Sequence, residues 1–225
     1  MSIFIRAILL LCACIFNVSS QASVTVGGTR LIYHGAEKEA SLSVSNSKDA
    51  NPYLIQSWLE VSEESSKKTP FIVTPPLFRL DGGHENTLRV IYAGDGALPG
   101  DRESLFWLNV KSIPSMEKSN QNRLLIAVKT RIKLFYRPAE LSNEKASEAW
   151  RKLNAIRNGK LVIISNPTPF YISLFSLRIE GNVVNHPPMI SPFGTVSITG
   201  QGDEVFWTAI NDYGGVTQES RLVLK

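Results

Sequence analysis

Three histidines, His34, His84 and His186, are the chain's whole stock of imidazoles, and its two cysteines, Cys12 and Cys14, both lie in the apolar opening segment. Nucleophilic or general acid–base chemistry needs a base within hydrogen-bond reach of a nucleophile, or two carboxyls whose pKa values are driven apart. None of the histidines stands in a motif that supplies this. The chain has no G-x-S-x-G elbow, no Walker loop, no H-E-x-x-H and no C-x-x-C. His84-Glu85 beside Gly82-Gly83 offers metal-ligating types, but a lone histidine in a turn is ordinarily solvated. The residues imply no enzyme, no cofactor and no metal, although a triad can be assembled from distant positions.

Binding chemistry is better represented. The run Asn122 to Pro138, NRLLIAVKTRIKLFYRP, has apolar even positions, Leu124, Ile126, Val128, Ile132, Leu134 and Tyr136, interrupted only by Thr130. Its odd positions include Lys129, Arg131 and Lys133. A period of two over this length predicts a strand with one apolar and one basic face. In one reading the apolar face is simply core and the basic face is solvated. In the other, part of the strand is an exposed apolar edge offered to a second chain, a hazard unless a partner uses it. Composition does not choose between them.

The elements that would position this run are themselves strands. Val24 to Tyr33, Ala40 to Ser45, Tyr53 to Val61, Thr87 to Tyr92, Leu105 to Val110 and Leu124 to Tyr136 alternate in the same way. Turns are expected at Asp81-Gly82-Gly83 and Asp95-Gly96, where glycine accepts a positive φ. About seven strands in this space suggest an immunoglobulin-like sandwich, with a closed barrel as the alternative. Arg137-Pro138 and the polar Ser142-Asn143-Glu144-Lys145 break the pattern. Glu148 to Ile156 suits a short helix, marginal in isolation. Strand character then resumes at Lys160 to Ser165, Tyr171 to Ile179, Thr195 to Thr199, Val205 to Ile210 and Arg221 to Leu224. The expected fold is all-β, two sandwich domains over residues 23–138 and 147–225 joined by a linker at 139–146. A cleft between such domains is a common ligand site.

Arg6, the apolar run Ala7 to Phe16 and Ser20-Gln21-Ala22 read as an export signal over residues 1–22, with Ser23 opening the mature chain. The run is about half the ~20 residues that cross a bilayer, so no stable membrane insertion is expected. Both cysteines would leave with the signal, and the mature domains would rely on cores without disulfides. Removing Arg6 lowers the formal net charge from +4 to +3. The basic residues are dispersed, which argues against a nucleic-acid surface.

Several segments carry a family resemblance. TRIKLFYRP (Thr130 to Pro138), DRESLFWLN (Asp101 to Asn109), PTPF (Pro167 to Phe170) and INDYGG (Ile210 to Gly215) closely resemble signature stretches of the periplasmic pilus chaperones called PapD-like. TRLIYHG (Thr29 to Gly35) and TPPLFRL (Thr74 to Leu80) match in kind and order. The resemblance implies two immunoglobulin-like domains set as a boomerang, a periplasmic location, and pilus subunits and an outer-membrane usher as partners. It implies that Arg30 and Lys133 anchor a subunit's C-terminal carboxylate, and that Leu124, Ile126 and Val128 fill the subunit's open core. It places Arg89, Glu103 and Asp212 in an ionic network between the domains. The short connection from Ile113 to Leu124 resembles the short-loop subgroup. One tension is internal to the strand: Lys133 has odd parity and the three aliphatics even, so an ideal strand points them to opposite faces.

Two other classes compete. A pilus subunit or adhesin would show an incomplete first sandwich or an N-terminal donor extension, and neither is visible. A hydrolase on a sandwich scaffold would show turnover, despite its missing motifs.

Overall fold

The computed structural model describes residues 24–61, 68–94, 98–116 and 124–224. The expected export signal and the Asp95-Gly96 turn lie outside those residues. Nine strands form the first unit: β1 (Val24–Val26), β2 (Arg30–His34), β3 (Glu39–Asn46), β4 (Tyr53–Glu60), β5 (Phe71–Thr74), β6 (Leu77–Leu80), β7 (Glu85–Tyr92), β8 (Ser104–Pro114) and β9 (Val128–Arg137). They make two sheets in the orders β1-β3-β7-β5 and β2-β9-β8-β4-β6, a sandwich rather than a closed barrel. Every pair in them is antiparallel except β2 with β9, which run parallel.

The alternation of apolar residues explains the layers. Val44, Ile55, Leu88, Val90, Leu108 and Leu134 come from both inner faces and are buried together. The run expected as one strand from Val24 to Tyr33 is divided between the sheets. Its break falls at Gly27-Gly28, where the Gly27 N–H donates to the Ser43 carbonyl and a Cβ on Gly27 would run into the Ser43 hydroxyl. Only glycine permits this close crossing.

Between the units lies α1 (Asn143–Ser147), in the segment expected as a plain linker, with Ser142 Oγ accepting from the Lys145 N–H at 3.4 Å. The helix expected over Glu148 to Ile156 does not form. Ala149–Lys152 make a single 3-10 turn, and Ile156 belongs to the next strand, opposite Ile163. Tertiary contacts override the weak local preference: Ala149 and Trp150 are buried in the second core, and the Trp150 carbonyl accepts from Trp207 Nε1 at 2.9 Å.

The second unit contains β10 (Asn154–Asn158), β11 (Leu161–Ser165), β12 (Ile172–Ile179), β13 (Asn182–Val183), β14 (Met189–Ile190), β15 (Thr195–Thr199), β16 (Glu204–Ala209) and β17 (Ser220–Val223). One sheet runs β10-β11-β15 and the other β13-β12-β16-β17, with β14 also on β12. Val162, Ile164, Leu177, Ile179, Val205 and Trp207 close a separate core between them.

Candidate functional site

Strand β9 links the sandwich to the cleft, and its two halves differ. Downstream, residues 133–136 are paired on both edges, by β8 and by β2, and the β2 ladder continues from Arg30↔Lys133 to His34↔Arg137. Leu134 is buried there, as is Ile132 just upstream of it, and Tyr136 packs against the same core. Upstream, β2 has not yet begun, and among the described residues only β8 flanks residues 128–132. The ladder stops at Ser112↔Val128, and residues 124–127 belong to no strand. Leu124, Ile126 and Val128 are 87%, 65% and 58% exposed. The apolar even positions are therefore core from Ile132 onward and open at Leu124, Ile126 and Val128. A row of exposed aliphatics beside unpaired backbone groups is a template for an added strand.

At the junction of the halves, Arg30 and Lys133 are paired Cα partners on parallel strands, which lie ~4.8 Å apart in any sheet. Both face a recess of about 370 Å³ between the domains. Thr29, Arg30, Trp107, Arg131 and Lys133 line it from the first domain, with the Arg131 guanidinium 4.0 Å from the Trp107 ring centre, and Phe175, Ile210, Gly214 and Val216 line it from the second. Arg30 Nη1 donates to the Ile210 carbonyl at 3.0 Å, whereas its Nε is buried without a hydrogen-bond partner among the described residues. Lys133 Nζ stands 5.9 Å from the Trp107 ring centre. Among the described residues, neither cation forms an ion pair. Burial pushes the Arg30 guanidinium below its ordinary pKa, opposed by Asp212 and Glu103. Burial and then the charge of Arg30 lower the Lys133 ammonium as well. Two cations held together against their own repulsion form a site for an anion, and charge-assisted bonds to a carboxylate would relieve both.

Gly214 sets how closely the second domain approaches this recess. Its φ is 84°, and a Cβ there would lie 2.7 Å from Thr29 Oγ1. The INDYGG turn can thus press onto the start of β2 only with glycine at this point.

A third cation lies deeper. Arg137, only 2% exposed, donates from Nε to Glu103 at 2.9 Å, from Nη1 to Asp212 at 2.8 Å and to Asn143 Oδ1 at 2.8 Å, and from Nη2 to Asp212 at 3.1 Å. The second Glu103 oxygen accepts the Tyr171 N–H at 2.8 Å, and the Glu103 N–H donates to the Pro169 carbonyl. Glu103 and Asp212 thus meet across the domains through an arginine that sequence reasoning missed. Burial works against the charge of Arg137, but Asp212 and Glu103 outweigh it and hold the guanidinium above its ordinary value. Burial pushes the Glu103 carboxyl up, and Arg137 and the Tyr171 N–H hold it back only in part.

Arg89 is not in this network. It projects from β7 on the outer face of the other sheet, with Nε 3.8 Å from Glu39 and both side chains exposed. The reason is register: Arg89 pairs with Ser41 and Thr74, in the sheet that lacks β8 and β9. Arg137 takes the place expected for it, on the strand that ends at the domain boundary. The only sequence signal for Arg137 is its odd parity, shared with Lys133, which turns it away from the first core and toward the second domain.

Comparison with known proteins agrees over the whole architecture. Residues 23–142 match the family described as pili and flagellar-assembly chaperone, PapD N-terminal domain, and residues 148–221 match the PapD C-terminal domain of pili assembly chaperones. Chaperone protein FocC of Escherichia coli is 43% identical over 212 residues, covering 92% of each chain. Chaperone protein FimC of Escherichia coli is 39% identical over 226 residues, covering 98% of this chain and 92% of that one. Among solved structures, that of the Salmonella enterica SafA pilin in complex with the SafB chaperone contains a chain that superposes with a TM-score of 0.79 at 32% identity, covering 92% of this chain and 99% of that one. With both sandwiches immunoglobulin-like and both halves matched in order, this chain belongs to the PapD family of pilus-assembly chaperones.

Proposed function

We propose that this protein is a periplasmic chaperone, without enzymatic activity, that binds, folds and caps pilus subunits and then passes them to an outer-membrane usher. The observation that carries the reading is the junction in β9. There two cations without ionic partners among the described residues, Arg30 and Lys133, stand at the end of an open edge that bears exposed aliphatics.

The chemistry follows from what an incomplete subunit lacks. A sandwich missing one strand exposes apolar surface and a row of unpaired N–H and C=O groups, and an added strand satisfies both. Leu124, Ile126 and Val128 enter the subunit's core, and residues 124–132 of this chain pair with its open edge. Full burial of the three aliphatics contributes roughly 5 to 9 kcal/mol gross, at ~1.5 to 3 kcal/mol each, before the entropy of association. The subunit's C-terminal carboxylate meets Arg30 and Lys133 and fixes the register, because each chain has one such group. A partner arriving along the edge touches both faces of β9, which reconciles the odd parity of Lys133 with the even aliphatics. The gross binding energy leaves room for a better-fitting strand to displace this one at the usher.

The complete first sandwich, and relatives that are named as chaperones, favour this reading over that of a pilus subunit or adhesin. Purification of the tagged protein from periplasm, with mass spectrometry of the chains that accompany it, tests it. Pilus subunits should accompany the wild type and be absent from Ile126→Asp. A wild-type preparation from pilus-producing cells without any subunit would contradict the proposal.

A further inference from the structure

Two stretches of the sequence, Asp101-Arg102 and Pro167 to Phe170, stand apart from the open edge and from the recess, yet they meet at the domain boundary. The Glu103 N–H donates to the Pro169 carbonyl at 2.9 Å, and the Glu103 carboxylate accepts the Tyr171 N–H at 2.8 Å. Beside them the Arg102 guanidinium of the first domain lies 5.0 Å from the centre of the Phe193 ring of the second. Asp101 aims it, accepting from Arg102 Nε at 2.9 Å and from Nη2 at 2.7 Å. Phe193 occupies this place against its own backbone preference: its φ is 54°, in the left-handed region that a bulky residue rarely adopts. The second core does not require the ring, since Phe193 is 51% exposed and belongs neither to that core nor to the side chains packed on it. What holds the turn is Asn166, only 1% exposed. Its Nδ2 donates to the Phe170 and Ser191 carbonyls at 2.7 and 3.0 Å, and its Oδ1 accepts from the Thr168 N–H and hydroxyl at 3.0 and 2.7 Å. The Asn166 N–H donates to the Gly194 carbonyl, and the Phe193 N–H to the Thr168 carbonyl. One buried amide thus binds the 167–170 loop and the 191–194 turn into a single platform.

We propose that Arg102 and Phe193 are positioning residues, a clasp that acts beside the Arg137 network to fix the relation of the two domains and with it the width of the recess. The argument is one of strain and rigidity. Strained backbone persists where the surroundings over-determine it, and it collects at positions whose task is other than stability. Here the strain falls on a residue whose ring meets the neighbouring domain. Each half of the contact is rigid within its own domain, Arg102 through Asp101 and Phe193 through Asn166, so the attraction between guanidinium and ring resists the domains' moving past one another. The recess follows that relation, because Arg30 reaches across it to the Ile210 carbonyl and Gly214 presses on Thr29. The inference does not rest on the carboxylate anchor proposed above.

Residues 23–225 contain no cysteine, so Thr87→Cys and Ser197→Cys put one spin label on an exposed strand position of each domain. In this labelled parent, double electron–electron resonance should give a distance distribution with a single narrow maximum. Arg102→Ala and Phe193→Gly, each added to the parent, should both lose that maximum and broaden the distribution. Phe193→Tyr keeps the ring and should keep the narrow maximum. Glycine accepts a positive φ without penalty, so the thermal unfolding midpoint of Phe193→Gly should equal or exceed the parent's, an outcome that a ring needed by its own domain would not allow. A distribution that stays narrow in Arg102→Ala or in Phe193→Gly overturns the clasp. So does a parent that is already broad, broadening in Phe193→Tyr, or a lowered midpoint in Phe193→Gly.

Discussion

Arg137 and the Arg30–Lys133 pair are cationic sites at the same domain boundary, on neighbouring stretches of the same two strands, yet they are treated in opposite ways. Arg137 is enclosed, and the hydrogen bonds from its guanidinium end on Glu103, Asp212 and Asn143. Arg30 and Lys133 are half-buried beside one another, and each is pushed below its ordinary pKa. A cation whose bonds are satisfied within the chain can only hold the structure, because any ligand would have to displace its partners. A cation pair without a directly bonded anion destabilises the free protein slightly and gains most from an incoming one. The difference separates a cation that ties the domains together from the pair proposed to bind.

The comparison breaks most visibly at Arg137. Arg137→Met should lower stability by about 3 to 5 kcal/mol, because it leaves Glu103 buried without its counter-charge, and urea unfolding of the purified mature protein measures it. Solution scattering of the same variant should show a changed relation between the domains. Lys133→Ala should do the reverse. Its unfolding midpoint should stay at the wild-type value or rise, while subunit binding weakens tenfold or more, in line with ~1.5 to 3 kcal/mol for a charge-assisted bond.

The pH dependence sharpens the same contrast. Because burial and Arg30 depress the Lys133 pKa in the free protein, a bound carboxylate must raise it, so binding is linked to proton retention. Affinity should be full below the lowered pKa and decline as pH rises through it and beyond. In Lys133→Arg the decline should move to higher pH, as followed by calorimetry. The smallest effect belongs to Arg89. Its exposed contact with Glu39 at 3.8 Å should be worth less than about 0.5 kcal/mol, and Arg89→Ala should leave both scattering and subunit binding unchanged.

Legibility in the sequence followed the range of the interactions. Strands β3, β7 and β8 were visible because one face of each meets a core, which imposes a period of two on neighbouring residues. The division of the first run into β1 and β2 was not, since strand-forming residues stand on both sides of Gly27-Gly28 and only the approach of Ser43 reveals the crossing. Ile156 ends a stretch in which Glu148, Ala149 and Lys152 favour a helix, but its own branched side chain suits a strand, and its pairing with Ile163 placed it in β10. For the site, composition left the face of the long strand undecided. The start of β2 bears on it, because β2 begins opposite Lys133 and leaves β9 upstream of that point with one neighbour among the described residues. Arg30 and Lys133 were accessible only through resemblance. Arg137 was hidden because its burial depends on a second domain whose contacts arise some seventy residues later in the chain, at Asp212.

Hydrogen–deuterium exchange across residues 124–132, measured on the free protein and on its complex with a pilus subunit, tests the central claim most directly. The account predicts fast exchange at 124–127 in the free protein, where these residues belong to no strand, and strong protection of the same amides in the complex. Protection in the free protein, or exchange that stays fast when the subunit is bound, would contradict the use of this edge as the donated strand.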